Sequence, residues 1–251
     1  MQLPWLKNYN LLIFDQIDST NSEALRLIKN GVKGNFVIVA REQTGGRGSK
    51  GRFWQSIPGN LHMSILFQPM VSISRLKELS FLVAVVLYET IQESISKSSA
   101  PKADIKLKWP NDVLMGGKKL AGILLESTCV GGINYVIIGI GVNTHFMPDI
   151  SDVAVTSLFN EGVILKNSDY FLSNFMDKFQ IYYSRWGAEG NFDNTRKQWL
   201  KFAYNVNSVV TLDNGVSKVS GVFKGIDQEG AICIELASGV VHSFSSGQVT
   251  F

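Results

Sequence analysis

The chain has 251 residues, of which 45% are hydrophobic and 18% are charged, a composition typical of a globular protein. Its length allows one large domain and a small one. The net charge of +3 is too small to require a nucleic-acid partner, although a local basic patch is compatible with it. The first five residues contain no apolar signal-peptide core, and no apolar run is long enough to span a bilayer. We therefore expect a cytoplasmic protein without a membrane segment.

The cysteines and histidines give no metal-binding or disulfide pattern. Cys129 and Cys233 lie far apart in apolar, strand-like surroundings, which predicts buried free thiols in a reducing compartment. His62, His145 and His242 lack the spacing of metal ligands, so we expect no structural zinc.

The first predicted elements are a strand and a helix. The run from Leu11 to Ile17 predicts the strand, and apolar residues at helical spacing follow residues 18–23. Thr20 and Glu23 have the spacing of a capping box. Either Ser19 and Thr20 only cap this helix, or one of them presents its hydroxyl and backbone N–H to a polar or anionic ligand.

A second apolar run, residues 36–40, leads directly into a glycine-rich basic loop, residues 42–54. Glycine lets backbone N–H groups approach an anion closely. Arg47 and Arg52 offer planar donors suited to carboxylate and phosphate. A flexible surface loop has a similar composition, but Phe53 and Trp54 add an apolar wall, which favours a ligand with an anionic and an apolar part. The loop matches neither a Walker A motif nor a dinucleotide fingerprint.

The middle of the chain alternates between strand and helix patterns. A turn at residues 58–60 precedes a predicted half-buried strand from Leu61 to Phe67. Residues 74–95 have the periodicity of a core-packing helix, and residues 96–101 predict a loop.

The next strand carries polar groups at its tip. Residues 105–109 alternate, which places Lys106 and Lys108 on one face of the strand. The turn residues Pro110, Asn111 and Asp112 then leave an amide and a carboxylate at the tip, although such turns are common without function.

Two further strands follow. Gly116 and Gly117 predict a hairpin into an apolar strand that begins at Lys118 and Lys119. A lysine there is able to reach a bound anion, although an exposed turn lysine is the more frequent case. The buried strand 135–142 contains Gly139 and Gly141, and glycines inside a strand usually mark the close approach of a ligand or another backbone.

The last third of the chain changes pattern near Tyr204. Residues 168–186 and 192–202 predict two amphipathic helices. From Asn205 onward, short strands alternate with turns and predict a small barrel. We therefore expect two domains, residues 1–204 and 205–251.

Five motifs together resemble the biotin–protein ligases, enzymes that attach biotin to a lysine of biotin-dependent carboxylases. They stand in the family's order, and the C-terminal residues 225–231 resemble the family's SH3-like domain. The resemblance implies an α/β (α+β) catalytic domain of the class II synthetase type, with a mixed sheet, followed by a small SH3-like β-barrel. The five motifs are residues 18–21, 42–48, 108–112, 119–124 and 139–143.

The resemblance also implies a two-step reaction. The carboxylate of biotin attacks the α-phosphate of ATP bound with Mg²⁺, which gives biotinyl-AMP and pyrophosphate. The amine of an acceptor lysine on a biotin carboxyl carrier domain then attacks the mixed anhydride and releases AMP. A homodimer is compatible with the family. Some bacterial members carry an N-terminal DNA-binding domain, but only ten residues precede the first strand here, so we expect no sequence-specific DNA binding.

The resemblance assigns roles to individual residues. The catalytic residues are expected to be Lys119, Arg47 and Asp112. Asn111 and Asp112 are expected to help with the metal or with the incoming amine. The expected biotin-binding residues are Ser19, Thr20, Asn21, Gln43, Gly46, Arg47, Gly48, Ser49, Trp54, Lys119, Gly122, Gly139 and Gly141. The expected ATP-binding residues are Arg47, Arg52, Trp54, Lys108, Asn111, Lys119 and Asn143.

One position departs from the family pattern, and two other functions are compatible with part of the sequence. Where the family loop usually has a second arginine, which helps to hold the adenylate, this chain has Ser49, with Lys50 and Arg52 nearby. Lipoate–protein ligases share the implied fold and type of reaction, but their loop has features that this chain lacks. A nucleic-acid-binding module would suit a basic loop and a small barrel, but the modest charge and the absence of interleaved aromatics oppose it.

Overall fold

The computed structural model describes residues 4–98, 103–149, 153–165, 167–190 and 192–251. Seven strands form one mixed sheet in the order β1-β2-β3-β7-β6-β5-β4. Within this sheet, β1 and β2 pair in parallel, and the remaining neighbours pair antiparallel. The strands are β1 (Asn10–Ile17), β2 (Phe36–Gln43), β3 (Leu61–Phe67), β4 (Ile105–Lys108), β5 (Asp112–Met115), β6 (Lys118–Val130) and β7 (Ile133–Val142).

The helices divide between the two faces of this sheet. The helices are α1 (Thr20–Lys29), α2 (Glu78–Ser96), α3 (Ser168–Glu189) and α4 (Asp193–Lys201). Residues of α2 and α3 share the main hydrophobic core with one face of the sheet. On the other face, α1 packs over Phe36, Ile38, Leu66 and Ile137 and leaves the rest of that face open. The open part of the face, beside α1, is where the cleft described below lies.

The strand β3 is buried along its whole length. The alternation of its residues predicted only a half-buried strand, and that prediction was wrong. Met63 and Ile65 belong to the main core, whereas Leu66 packs under α1. Since the main core covers one face of β3 and α1 covers the other, an alternating pattern need not leave one face in solvent.

The helix α2 is apolar on nearly every side and runs through the core. Thirteen of its nineteen residues are buried, which confirms the predicted core helix. Its length and composition would also satisfy a membrane-crossing helix, but most of its surface is buried inside the fold. A helix that is hydrophobic all round is typical of the core of a larger protein.

A second, antiparallel sheet is built from the C-terminal residues. Its order is β11-β10-β9-β8-β12, and among residues 192–251 the pairings do not join β11 to β12 to close a barrel. The strands are β8 (Val209–Asp213), β9 (Lys218–Ile226), β10 (Ile232–Glu235), β11 (Val241–Phe244) and β12 (Gln248–Thr250).

Hydrogen bonds join this C-terminal part to the tip of β4. The indole Nε1 of Trp109 donates to the carbonyl of Gly230 at 2.9 Å, and the backbone N–H of Tyr204 donates to Leu107 at 2.9 Å. The C-terminal sheet therefore supports the turn that carries Asn111 and Asp112.

Two local predictions were wrong. The capping box does not form, because Ser19 is the N-cap and makes no side-chain cap bond, while Glu23 pairs with Arg26 at 2.6 Å. The cysteines are free, but Cys129 is exposed and Cys233 is only partly buried. Cys129 lies near the end of β6, where mostly exposed residues continue the strand beyond the core.

Candidate functional site

A cleft opens on the face of the seven-stranded sheet beside α1, under the glycine-rich loop. The glycine-rich loop, residues 42–54, leaves β2 after Gln43 and contains a 3-10 turn at Ser49–Gly51. Most of the residues expected from the sequence to form the site line this cleft. They are Ser19, Thr20, Asn21, Gln43, Arg47, Gly48, Ser49, Arg52, Trp54, Asn111, Asp112, Lys119, Gly122, Gly139, Gly141 and Asn143.

One end of the cleft is a polar recess at the N-terminus of α1. The side-chain oxygen Oε1 of Gln43 accepts hydrogen bonds from the backbone N–H of Thr20 at 2.8 Å and from the Thr20 hydroxyl at 3.1 Å. The Gln43 amide donates to the Ser56 hydroxyl at 2.9 Å. One of the free N–H groups that begin every helix is thereby satisfied across the sheet, which explains why Thr20 does not form the predicted capping box.

Asn21 continues this recess toward β7. Its Oδ1 lies 2.5 Å from the hydroxyl of Ser64, which itself lies 2.7 Å from the Thr20 hydroxyl. A Cβ atom at Gly139 would approach Asn21 Oδ1 to 2.4 Å, far inside contact distance. Gly139 is therefore needed so that the Asn21 amide can lie against the sheet, as a glycine in a strand predicts. Ser19, Thr20 and Asn21 are all buried.

The apolar part of the cleft is formed by Trp54 on two paired glycines. Gly122 and Gly141 lie directly opposite each other in the β6–β7 ladder. A Cβ atom at Gly141 would come within 2.4 Å of the Trp54 indole, and one at Gly122 within 3.0 Å. Because both positions lack a side chain, the indole lies on the sheet and presents its apolar surface to the cleft. Its Nε1 is buried and has no hydrogen-bond partner among the described residues.

Lys119 and Asp112 form an ion pair at the mouth of the β5–β6 hairpin. Lys119 Nζ lies 2.7 Å from Asp112 Oδ1 and 5.6 Å from the centre of the Trp54 ring. The preceding residue, Asn111, donates from its side-chain amide to the Ile123 carbonyl at 2.6 Å. The tip of β4 is thus fixed to β6, with the ammonium and the carboxylate both facing the cleft.

A second ion pair crosses the cleft from the loop to β6. Arg47 Nη2 donates to Glu126 Oε2 at 2.9 Å, and Asn21 Nδ2 donates to the same oxygen at 2.7 Å. The side chains of Arg47 and Glu126 are 40% and 28% exposed, so the pair lies at the edge of the cleft rather than deep inside it.

Ser49 holds a third cation on the loop. The guanidinium of Arg52 donates to the Ser49 hydroxyl at 2.8 Å and to the Ser49 carbonyl at 3.2 Å. The Gly48 backbone N–H donates to the Arg52 carbonyl at 2.7 Å. The serine that departs from the family pattern therefore fixes a guanidinium at its own position.

Two expected site residues lie outside the cleft lining. At Gly46, a Cβ atom would meet the Trp54 carbonyl at 2.4 Å, so this glycine allows the loop to fold back on itself. Lys108 lies with its ammonium 5.4 Å from the centre of the Phe251 ring, between β4 and the C-terminal residue. Burial there lowers the pKa of Lys108. Lys108 does not line the cleft, but its charge interacts with those of Asp112, Lys119 and Arg52, which do. Its contact with ATP therefore stays a prediction.

Asn143 lies at the far end of the cleft and organises the chain beyond β7. Its side-chain amide donates to the Thr156 carbonyl at 3.0 Å, and its backbone N–H donates to Leu120 at 2.9 Å. Its Oδ1 is buried without a hydrogen-bond partner among the described residues.

Two polar side chains that contact the cleft-lining residues Arg47 and Asn21, those of Glu126 and Ser64, were not predicted from the sequence. Glu126 ends the apolar run of the predicted strand, and a carboxylate after such a run was the available signal. Ser64 alternates with buried apolar residues in β3, but its position next to Asn21 depends on strand pairing that a single sequence does not display. Two lining residues that were not predicted, Val153 and Val155, come from the segment after β7.

Comparisons with known proteins agree over most of the chain. The model of the biotin/lipoate A/B protein ligase family matches residues 13–143, and the model of the biotin protein ligase C-terminal domain matches residues 209–251. A biotin–[acetyl-CoA-carboxylase] ligase of Paracoccus denitrificans is 35% identical over 88% of this chain and 92% of its own length. The bifunctional ligase/repressor BirA of Bacillus subtilis is 29% identical over 94% of this chain and 73% of its own length.

A solved structure shows the same likeness. The biotin protein ligase from Aquifex aeolicus, in complex with biotin and ATP, has a TM-score of 0.76 and is 26% identical. The match covers 96% of this chain and 97% of that one. The mixed-sheet domain and the small antiparallel β domain therefore occur together in a known fold.

Proposed function

The chain belongs to the biotin/lipoate A/B protein ligase family, and we infer that it is an ATP-dependent biotin–protein ligase. Its substrates are biotin, ATP and a lysine of the biotin carboxyl carrier domain of a biotin-dependent carboxylase. Relatives named as biotin–[acetyl-CoA-carboxylase] ligases and a relative solved with biotin and ATP support this inference. The observation that carries it is the convergence of Arg47 and Lys119 with the Trp54 surface in a single cleft.

In the first step we propose that Arg47 and Lys119 bring the two anionic substrates together. The biotin carboxylate attacks the α-phosphorus of ATP, the α–β phosphoanhydride bond breaks, and pyrophosphate leaves. The approach of two anions is repulsive, so fixed cations and N–H dipoles lower the barrier. Backbone N–H groups of the glycine-rich loop and the Arg52 guanidinium supply further donors for phosphate oxygens.

The polar recess is proposed to bind the ureido ring of biotin. Thr20, Gln43 and Ser64 together offer hydroxyl and amide groups in a buried recess. A ring with two N–H donors and one carbonyl acceptor requires such partners, because a buried polar group without a hydrogen bond is costly. The apolar chain of biotin would then lie along Trp54 and the Gly122–Gly141 pair.

In the second step the acceptor amine attacks the acyl carbonyl of biotinyl-AMP, and AMP leaves. The attacking amine must be uncharged, so a proton acceptor near the carbonyl assists the attack. We propose Asp112 for this role or for contacting a metal ion. Asn111 assists by fixing the turn through its bond to Ile123, and Asn143 is proposed to contact the nucleotide.

Mg²⁺ is proposed to enter with ATP rather than to occupy a protein-only site. The described residues contain no group of three His, Cys, Asp or Glu side chains able to hold a metal ion. Mg²⁺ usually takes one or two carboxylates together with substrate phosphates and water. Asp112 would supply the carboxylate, and the ion would neutralise phosphate charge.

The proposal also covers the domain boundary, the cellular location and the oligomeric state. We place the domain boundary between residues 204 and 205, with an SH3-like C-terminal domain, because the second sheet begins at Val209. A cytoplasmic location suits an enzyme with two free cysteines. Homodimer formation stays a prediction that sedimentation of the purified protein will check.

The deciding experiment is incubation with labelled biotin, ATP and a carboxyl carrier domain. We expect label on one lysine of the carrier, with AMP and pyrophosphate as products. A carrier in which that lysine is replaced by arginine is the control. Transfer of lipoate in preference to biotin, or retention of nucleic acid without any transfer, would contradict the proposal.

A further inference from the structure

The tip of the glycine-rich loop is tied to the sheet by a single long-range ion pair among the described residues. Near its two ends, the loop is held by backbone bonds from Gly45 to Asp18 and from Trp54 to Gly46, at 2.7 and 2.9 Å. Between them, the side chain of Arg47 reaches across the cleft to Glu126, 79 residues further along the chain. This pair therefore holds the loop tip against β6, in addition to the packing of Trp54 on the sheet.

The carboxylate of Glu126 is held in place from the other side as well. Asn21 donates to the same oxygen, Oε2, at 2.7 Å. Asn21 is 3% exposed and lies against Gly139, so it is fixed by α1 and β7. Glu126 thus links the glycine-rich loop to two regular elements of the domain.

We propose that Glu126 is the positioning residue for Arg47 and the latch that keeps the loop closed over the acyl-adenylate. This inference rests on the proposed ligase function. A guanidinium has five N–H donors, and the bond to Glu126 uses one of them. The remaining donors stay available to the ligand, so Glu126 and the ligand bind Arg47 together rather than competing for it.

The physical effect of the latch is to restrict Arg47 before the ligand arrives. A free arginine side chain loses rotamer entropy when it is fixed. The ion pair with Glu126 already restricts Arg47 in the folded protein, so less side-chain entropy is lost when the adenylate binds. Binding and retention of the adenylate therefore become more favourable. Without the latch, the loop tip opens more often and the intermediate escapes.

The test compares Glu126→Gln with Glu235→Gln. Gln keeps the size of the side chain and removes its charge. Glu235 pairs with Lys224 at 3.2 Å in the C-terminal sheet, and that pair has 36% and 40% exposed side chains, close to those of the Arg47 pair. We measure release of biotinyl-AMP by stopped flow without acceptor, the KM for biotin, and kcat. We expect Glu126→Gln to release the adenylate about 3- to 10-fold faster and to raise KM more than it lowers kcat.

The outcomes separate the inference from the proposed function. If the parent protein forms no biotinyl-AMP, the proposed function fails. If the parent forms it and Glu126→Gln releases it at the parent rate or more slowly, the latch is wrong. An equal change in Glu235→Gln would also overturn it. If Glu126→Gln does not fold, Glu126→Asp takes its place, because the shorter side chain does not span both partners and is expected to release the adenylate faster too.

Discussion

Lys119 Nζ lies 2.7 Å from Asp112 Oδ1 across the β5–β6 hairpin, and each side chain is only 20% exposed. The hairpin contains a register shift between Val113 and Leu114. An irregularity of this kind changes the direction of nearby side chains and often lies next to an active site. The shift thus helps bring an ammonium and a carboxylate together at the place where the two anionic substrates are proposed to meet.

We predict that Lys119→Ala loses most adenylate formation while the fold survives. The variant removes one charge-assisted contact to the developing negative charge, a loss of about 10²–10³ in rate. Formation of biotinyl-AMP is measured with pyrophosphate release in the absence of acceptor. Lys118→Ala is the matched control, since Lys118 is 53% exposed and pairs with Glu161 at 3.5 Å. An undiminished rate in purified Lys119→Ala would show that the lysine has no catalytic role.

Gly141→Ala is expected to weaken biotin binding specifically. The added methyl group would meet the Trp54 indole at 2.4 Å, so the ring must leave its place on the sheet. We expect KM for biotin to rise about 10-fold or more, since displacement of packed atoms in a full site costs about 1–3 kcal/mol. Isothermal titration of biotin checks this. Gly187→Ala is the control, because a Cβ there meets nothing within 4 Å. Unchanged biotin affinity in Gly141→Ala would contradict the proposed position of the apolar chain.

Ser49→Arg is expected to slow the escape of biotinyl-AMP. The family arginine at this position is expected to hold the intermediate, and serine has neither its charge nor its reach. Loss of one charged hydrogen bond corresponds to roughly 10- to 150-fold faster release. Stopped flow without acceptor compares the two proteins, and labelling of bystander lysines gives a second measure. In the natural protein Arg52 is bonded to Ser49, so equal rates would show that Arg52 replaces the missing arginine.

The free energy of unfolding is predicted to decrease as the pH is lowered, because His62 is buried in its neutral form. This side chain is 1% exposed, and burial lowers its pKa to about 4. In the unfolded chain the pKa is about 6.5, so between these values the unfolded state binds more protons. The contribution of neutral His62 is complete above pH 6.5 and is lost as pH falls toward 4, by about 3 kcal/mol in total.

The measurement for His62 is urea unfolding between pH 7 and pH 4. Leucine has a similar volume and does not titrate, so His62→Leu is expected to lose most of the pH dependence in this range. If the variant and the natural protein lose stability in parallel, other groups cause the acid sensitivity.

The sequence determined the local elements and the chemistry available to them. Periodicity predicted the core helix α2 and the strands β2, β6 and β7 close to their observed bounds, because a buried helix and a buried strand each require apolar residues at their own repeat. The resemblance carried by the five motifs predicted the α/β fold and the ligase family, and the comparisons confirmed both. Motif residues predicted most of the cleft lining, because strand glycines that admit a neighbouring group and cations in a glycine-rich loop are recognisable in the sequence.

Tertiary structure alone decided which of these groups meet. Gly122 and Gly141 form one surface under Trp54 only because β6 and β7 pair in a particular register. Glu126 reaches Arg47 because a loop and a strand far apart in sequence face the same cleft. The same reason accounts for Lys108, whose alternation placed it on the polar face of β4, but whose contact is with Phe251. Side-chain period is a local property, whereas register, loop conformation and coverage by distant elements depend on contacts between residues far apart in the chain.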